Sequence, residues 1–363
     1  GADIFGAINP TYSDTATGHY RCRVFDSTMT NYSRTALLDY AALFPDPSLE
    51  IAVRTNLGLS AGATIPLSSV EAMTELNANY NYNGSLNRIT NLTGLASASS
   101  LQTLSLQFQG ITDVSELAGL TSLTWLDLDY NQVKDISPLR FLNQLRGLHL
   151  HSNGVTNAPL VAGLPNLLTL VLTHNGLTNI NFLAGLPQLT NLWCGANFYS
   201  NSAPLAGLTN LTELRLTDLP FMDFSCVATF SNLATLAIGN NPLTNASFVD
   251  NLTKLKTLYL SESYLTHSPV LSNKPDLTIL LLDHNELTEV PDLHGLANLT
   301  ELWLSANRLS DPSPLTNAPG LTGLLLDNNS LTNIAPLLAL TNLGLVKVQE
   351  NFLNTNAASA DMA

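Results

Sequence analysis

Two neighbouring stretches gather the groups best suited to chemistry: Asp127-Leu128-Asp129 and, one repeat later, His149-Leu150-His151, with His174 beyond them. Alternate residues of an extended chain share a face, and in-register parallel strands lie about 4.8 Å apart. That spacing sets Asp127 beside His149 and Asp129 beside His151. Carboxylates and imidazoles on one face can supply three or four ligands to a divalent transition metal. The simpler expectation is a solvated Asp/His ladder that strengthens below about pH 6.5 as histidine charges. Cysteine offers less: Cys22, Cys194 and Cys226 are odd in number, which excludes a fully paired framework and leaves the state of Cys22 open. No Gly-rich phosphate loop, H-E-x-x-H or nucleophile elbow is present. The sequence therefore predicts no cofactor and no catalytic residue, and points away from an enzyme.

The elements that position these groups come from an internal repeat. Leucine recurs at 101, 123, 145 and onward to 343 in steps of 22 residues, without insertion or deletion. A second apolar residue follows three positions on (Leu104, Leu126, Leu148) and a third five positions on (Leu106, Leu128, Leu150). The Leu-x-Leu alternation predicts a short strand with one face inward, and successive strands stack in parallel. The ninth position of the unit is asparagine in Asn131, Asn153, Asn175, Asn197, Asn241, Asn285, Asn307, Asn329 and Asn351. A buried column of this kind can satisfy the backbone of neighbouring turns from within. Gln109, Leu219 and Ser263 depart from it, and Leu219-Pro220 predicts a loosened coil over 217–226. Return segments such as Asp135-Ile136-Ser137-Pro138-Leu139 carry Pro, which disfavours a long helix and predicts short 3₁₀ or extended turns.

The register also says which side chains face outward from the strands. All three tryptophans do, Trp125 at the third position of its unit and Trp193 and Trp303 at the fifth, joined by Tyr130 and Tyr259. Exposed aromatics on a rigid concave sheet are typical binding anchors for peptide side chains or sugar rings. Four Asn-Leu-Thr sequons, at Asn91, Asn210, Asn251 and Asn298, mostly follow from the repeat consensus.

With its ISPL-like return segment and G-L-T-N-L linker, the 22-residue unit resembles the internalin-type leucine-rich repeats of bacterial surface proteins, over about residues 73–353. The resemblance implies a curved right-handed α/β solenoid, secreted or at the cell surface, that acts in adhesion by binding a protein or glycan partner on its concave sheet. It carries over no ligand residue, because those positions vary within the family, and the family's wall-sorting signal is absent from this sequence.

Residues 44–72 read as an N-terminal helical cap: Asp46 as N-cap, Pro47 at the first helical position, Leu49, Val53 and Leu57 on one face, Gly58 as the stop, and a second short helix near Leu67–Met73. An Asn/Tyr-rich insertion, 79–87, predicts a protruding loop in the first coil. Residues 1–43 lack the repeat. Their Tyr20-Arg21-Cys22 resembles the tyrosine corner of an immunoglobulin-like strand, of which only a partial segment is present. The last coil dissolves into the polar tail 354–363, and no basic-then-apolar leader opens the chain. Two expectations follow: a piece of a longer protein, or a subunit that self-associates head to tail into an extracellular filament through residues 1–43 and the last coil.

Composition narrows the partners. Lys and Arg number 14 against 28 Asp and Glu, a net charge of −14, with 45% hydrophobic residues. An acidic chain without a basic cluster argues against nucleic acid and anionic membranes, and no apolar run approaches the length of a membrane span, so membrane insertion is not expected.

Overall fold

A computed structural model describes residues 41–80, 87–220, 223–243 and 245–353 in full, together with the backbone of four short strands ahead of them. Those four are β1 (Gly18–Tyr20), β2 (Arg23–Phe25), β3 (Thr30–Tyr32) and β4 (Ala36–Leu38). β1 pairs antiparallel with β4 and β2 with β3, which makes an interrupted hairpin. The proposed immunoglobulin-like corner is not established by this pairing, and Cys22, most of the 79–87 insertion and the tail 354–363 lie outside the described residues.

The cap follows the local chemistry of its sequence. Helix α1 (Pro47–Asn56) starts at Asp46, whose Oδ1 accepts from the backbone N–H of Ser48 and Leu49 at 2.9 and 3.1 Å. It ends at Leu57, and Gly58 follows at φ +66°, the left-handed position that glycine adopts without penalty. Leu49 and Val53 bury fully against the first coil, and α2 (Leu67–Glu71) adds Val70. Asp46 reaches further, because its Oδ2 accepts from the N–H of Thr90 and Asn91 at 2.8 and 3.1 Å. One carboxylate thus caps the helix and fastens it to the solenoid.

Thirteen three-residue strands then form one parallel sheet in chain order. They are β5 (Glu75–Asn77), β6 (Thr103–Ser105), β7 (Trp125–Asp127), β8 (Gly147–His149), β9 (Thr169–Val171), β10 (Asn191–Trp193) and β11 (Glu213–Arg215). They continue through β12 (Thr235–Ala237), β13 (Thr257–Tyr259), β14 (Ile279–Leu281), β15 (Glu301–Trp303), β16 (Gly323–Leu325) and β17 (Leu345–Lys347). Glu75 pairs with Thr103, so the first coil spans 28 residues, whereas every later pair is 22 apart. The central Leu of each strand points inward, as Leu104, Leu126 and Leu148 do at 0% exposure. Burying each such side chain contributes about 2 kcal/mol. Returning segments are 3₁₀ turns except in the two coils between β13 and β15, which return without one, and most begin with an Asp or Asn whose side chain accepts from the N–H two residues on, as Asp135 does from Ser137 at 2.8 Å.

The asparagine column works as an internal staple from coil to coil. Asn197 is typical: its Oδ1 accepts from Leu177 N–H in the preceding coil, and its Nδ2 donates to the carbonyls of Leu172, Cys194 and Gly195 at 2.9 to 3.0 Å. The same backward bond, at 2.9 to 3.0 Å, runs from Ile111 N–H to Asn131, from Val133 to Asn153 and from Val155 to Asn175. Further along, Asn285 accepts from Leu265 N–H, Asn307 from Leu287, Asn329 from Leu309 and Asn351 from Leu331. Asn131, Asn175, Asn197, Asn241, Asn285, Asn307 and Asn329 are buried.

Two members of the column correct the expectation of burial throughout. Asn153, flanked by the small Ser152 and Gly154, is half-buried, and so is Asn351, in the last of the described coils. Both keep their bonds, because the Nδ2 of each still donates to carbonyls of its own and the preceding coil. Gln109 fills the same role with a longer arm, accepting from Ile89 N–H at 2.7 Å and donating to Ala78 O at 2.6 Å. At Leu219 the column breaks, and Asn241 accepts from Leu219 N–H instead. Of the stretch 217–226 predicted to loosen, residues 221–222 lie outside the described residues.

Candidate functional site

The outward face of the parallel sheet carries the side chains of the third and fifth positions, with the seventh and eighth on its flank. Strand register places Asp127 opposite His149. Asp127 is 6% exposed. Burial raises its carboxyl above the ordinary range, against hydrogen bonds from Gln107 and from the Asp129 N–H that pull it down. Asp129 Oδ2 stands 3.9 Å from His149 Nδ1, and its Oδ1 accepts from His151 N–H at 2.6 Å. One ligand atom from each of Asp127, Asp129 and His149 lies within 4.8 Å of the others.

His151 and His174, expected to extend that group, do not join it. Strand alternation ends at Asp127, and the eighth residue of each later coil, Tyr130 and His174 among them, takes a left-handed conformation with φ near +55°. The turn swings these side chains away from the strand face. His151 packs edge-on between Tyr130 and His174, with ring centroids 4.6 and 5.2 Å apart, and burial holds its pKa below the usual histidine value. Tyr130 in turn stacks on Phe108 at 4.1 Å and 9°. The sequence reading omitted Phe108, although it occupies the same eighth position one coil earlier.

The aromatic anchors divide in two. Trp125 and Tyr130 are exposed at 37% and 42%, while Trp193, Tyr259 and Trp303 are half-buried rather than open. A large ring on a closely spaced sheet lies down over its neighbours. Trp125 lies across Gly147, where a Cβ would approach the indole to 2.3 Å, and meets the His149 ring at 4.7 Å. Trp193 is covered by the Arg215 guanidinium 4.3 Å from its ring, and Glu213 holds that guanidinium at 2.7 Å. Its Nε1 is buried without a partner.

Two further residues complete a surface that the tryptophans alone did not reveal. The fifth positions of β13 to β16 are Tyr259, Leu281, Trp303 and Leu325, each the register partner of the next. They form one apolar column. Asp283 and Asp327 flank it, accepting hydroxyl hydrogens from Ser261 and Ser305 at 2.5 and 2.7 Å. Reading the fifth position down every coil finds this column, whereas reading for tryptophan does not.

Nucleophiles are poorly placed. Cys194 is fully buried at a position that is Leu in most other coils, its Sγ is 3.1 Å from Tyr199 Oη, and burial pushes its thiol up to about 12. Cys194 and Cys226 are both free. No described helix is long and apolar enough to cross a membrane.

Comparison with known proteins agrees with this architecture. Residues 99–141 and 275–317 match the family model described as Leucine Rich repeats (2 copies). No curated protein sequence matches significantly. Among solved structures, an internalin (InlF) of Listeria monocytogenes superposes with a TM-score of 0.79 at 27% identity, over 90% of this chain and 96% of that one. A leucine-rich-repeat protein of Leptospira interrogans gives 0.69 at 25%, over 80% and 75%. The functional domain of InlJ of Listeria monocytogenes shares the fold, with 0.57 at 22% over 84% and 75%. The chain is a leucine-rich-repeat solenoid. Within that class it is similar to the internalins over most of both chains.

Proposed function

We propose that the chain is a non-enzymatic recognition protein of the cell surface or extracellular space that binds a protein partner through the concave sheet. The observation that carries this reading is the continuous apolar column Tyr259, Leu281, Trp303 and Leu325 on the outward face, bordered by Asp283 and Asp327. An apolar centre with a charged rim is the anatomy of a protein-binding patch. Its carboxylate border suits a segment that carries apolar residues beside Lys or Arg. Trp125 and Tyr130 supply a second contact toward the N-terminal coils. The likeness to a Listeria internalin supports the extracellular setting.

The test is an array of purified extracellular protein domains and of glycans, probed with the full chain and with Trp303→Ala and Leu325→Lys. A protein binder should lose at least about 30-fold in affinity with either variant, the size of a hot-spot truncation, while the melting temperature stays within a few degrees. Binding that persists in both folded variants, or that appears only on glycans, would overturn the proposal.

A further inference from the structure

A second site lies on the same sheet six coils earlier, and it does not depend on the column around Trp303. Asp127 and Asp129 each have one oxygen fixed by backbone. Asp127 Oδ1 accepts from Asp129 N–H at 3.1 Å, and Asp129 Oδ1 accepts from His151 N–H at 2.6 Å. The second oxygen of Asp129 is thereby turned toward His149 Nδ1, 3.9 Å away, too far for a hydrogen bond. His149 Nε2 is buried and has no partner either. A mostly buried imidazole with neither nitrogen hydrogen-bonded is unusual, since buried polar groups nearly always find partners. The ring nevertheless has a defined place, packed on Trp125 and opposite Asp127 in the ladder.

Two oriented carboxylates and an imidazole without hydrogen bonds, all within 4.8 Å, are a donor set for a cation. We propose that Asp127, Asp129 and His149 bind a divalent transition cation of the zinc type, with its remaining coordination positions open to the groove. One nitrogen and two anionic oxygens suit such an ion, at bond lengths of about 2.0 to 2.2 Å. Side-chain rotations that bring the three atoms closer by up to about 1.5 Å satisfy that geometry. The Gln107 amide, which donates to Asp127 Oδ2, supports the carboxylate from the neighbouring coil, as outer-shell partners of metal ligands do. The other histidine and carboxylate contacts, His284 with Asp283 at 2.9 Å and His294 with Asp292 at 2.6 Å, are two-group pairs on exposed turns. Among the described residues, no other set of three such groups comes together.

The experiment uses the full chain, freed of metal with a chelator and titrated with zinc sulfate at neutral pH by calorimetry and by imidazole nitrogen NMR. One equivalent should bind more tightly than about 10 µM, with the His149 resonances shifting and those of His284 and His294 unmoved. Asp129→Asn keeps an oxygen for the His151 N–H but removes the anionic ligand, so affinity should fall at least about 10-fold with the metal-free melting temperature unchanged. Asp292→Asn, at the exposed pair with His294, should leave the equivalent intact. No equivalent in that range, zinc shifts confined to the other histidines, or undiminished binding by Asp129→Asn overturns the site. Should Asp129→Asn not fold, the His149 shifts in the unaltered chain decide.

Discussion

At the scale of the residue, Asp46 carries more than one job, and its titration should show it. Burial of its carboxyl favours the neutral form, but N–H groups of Thr90, Leu49, Asn91 and Ser48 together outweigh that effect and its pKa lies below the ordinary value of 3.8. A depressed folded-state pKa means that the carboxylate contributes stability fully above the unfolded value. That contribution disappears as pH falls from about 4 through the folded pKa. Asp46→Ala should lower unfolding free energy by about 1 to 3 kcal/mol at pH 7, and the gap to the unaltered chain should narrow on acidification below pH 4. Asp46→Asn, which has one oxygen to share among four donors, should fall between. Denaturant melts across pH 2.5 to 7 check both, and a gap that widens in acid contradicts the assignment. The N-cap role was legible from Asp46-Pro47 in the sequence. The link to Thr90 and Asn91, 44 and 45 residues away, was not, because nothing local encodes which loop will lie against a cap.

At the scale of the element, the coil tolerates exceptions that keep its shape. Position twenty of the unit buries Leu120, Leu142 and Leu164 on the convex side, yet in one coil it is Lys274, with 0% exposure. Its stem fills the apolar slot, while Nζ donates to the carbonyls of Asp250 and Val270 and to Asn273 Oδ1 at 2.8 to 3.2 Å. Burial holds its pKa below the usual lysine value, partly offset by Asp250. A buried charge adds little net stability over an apolar residue of equal volume. Lys274→Met should therefore stay within about 1 kcal/mol of the parent, and Lys274→Ala, which leaves a cavity, should cost about 2 to 4 kcal/mol. Equal losses from both substitutions in thermal melts would show that the hydrogen bonds, rather than the volume, hold this coil. The sequons at Asn210 and Asn298 have an equally structural explanation, since their Nδ2 atoms donate to Pro187 O and Pro275 O of the preceding coil.

At the scale of the whole molecule, each coil touches only its neighbours, so stability is a sum of coils and interfaces and a single weak interface can divide the chain. The junction after β10 is the place to test this. Gly195 lies so close to the next coil that a Cβ would come within 2.3 Å of Thr217 O, a backbone atom that cannot move aside. Gly195→Ala should separate unfolding into two transitions. In hydrogen exchange, protection of the coils on one side of residue 195 should fall while that on the other side persists. A single cooperative transition of unchanged midpoint would mean that the junction absorbs the strain.

The 22-residue recurrence by itself determined the solenoid, the strand register, the inward leucines and the asparagine staple, because a period without insertions leaves one way to bury an apolar residue at every first, fourth and sixth position. It also placed Asp127 beside His149, since parallel strands of equal coils pair residues 22 apart. Tertiary structure alone decided how the outward side chains settle. Phe108, Tyr130, Ala196 and Glu262 share a left-handed backbone that their residue types do not favour, imposed by the corner each coil must turn. That corner removes His174 from the carboxylates, and His151 packs against Tyr130 and His174 instead of joining them. Packing against neighbouring strands laid Trp193 beneath Arg215, and the same stacking joined Leu281 and Leu325 to Trp303 in one column. The physical reason is the division of labour in the repeat: burial fixes the inward positions residue by residue, while the outward ones are settled only by contact between coils.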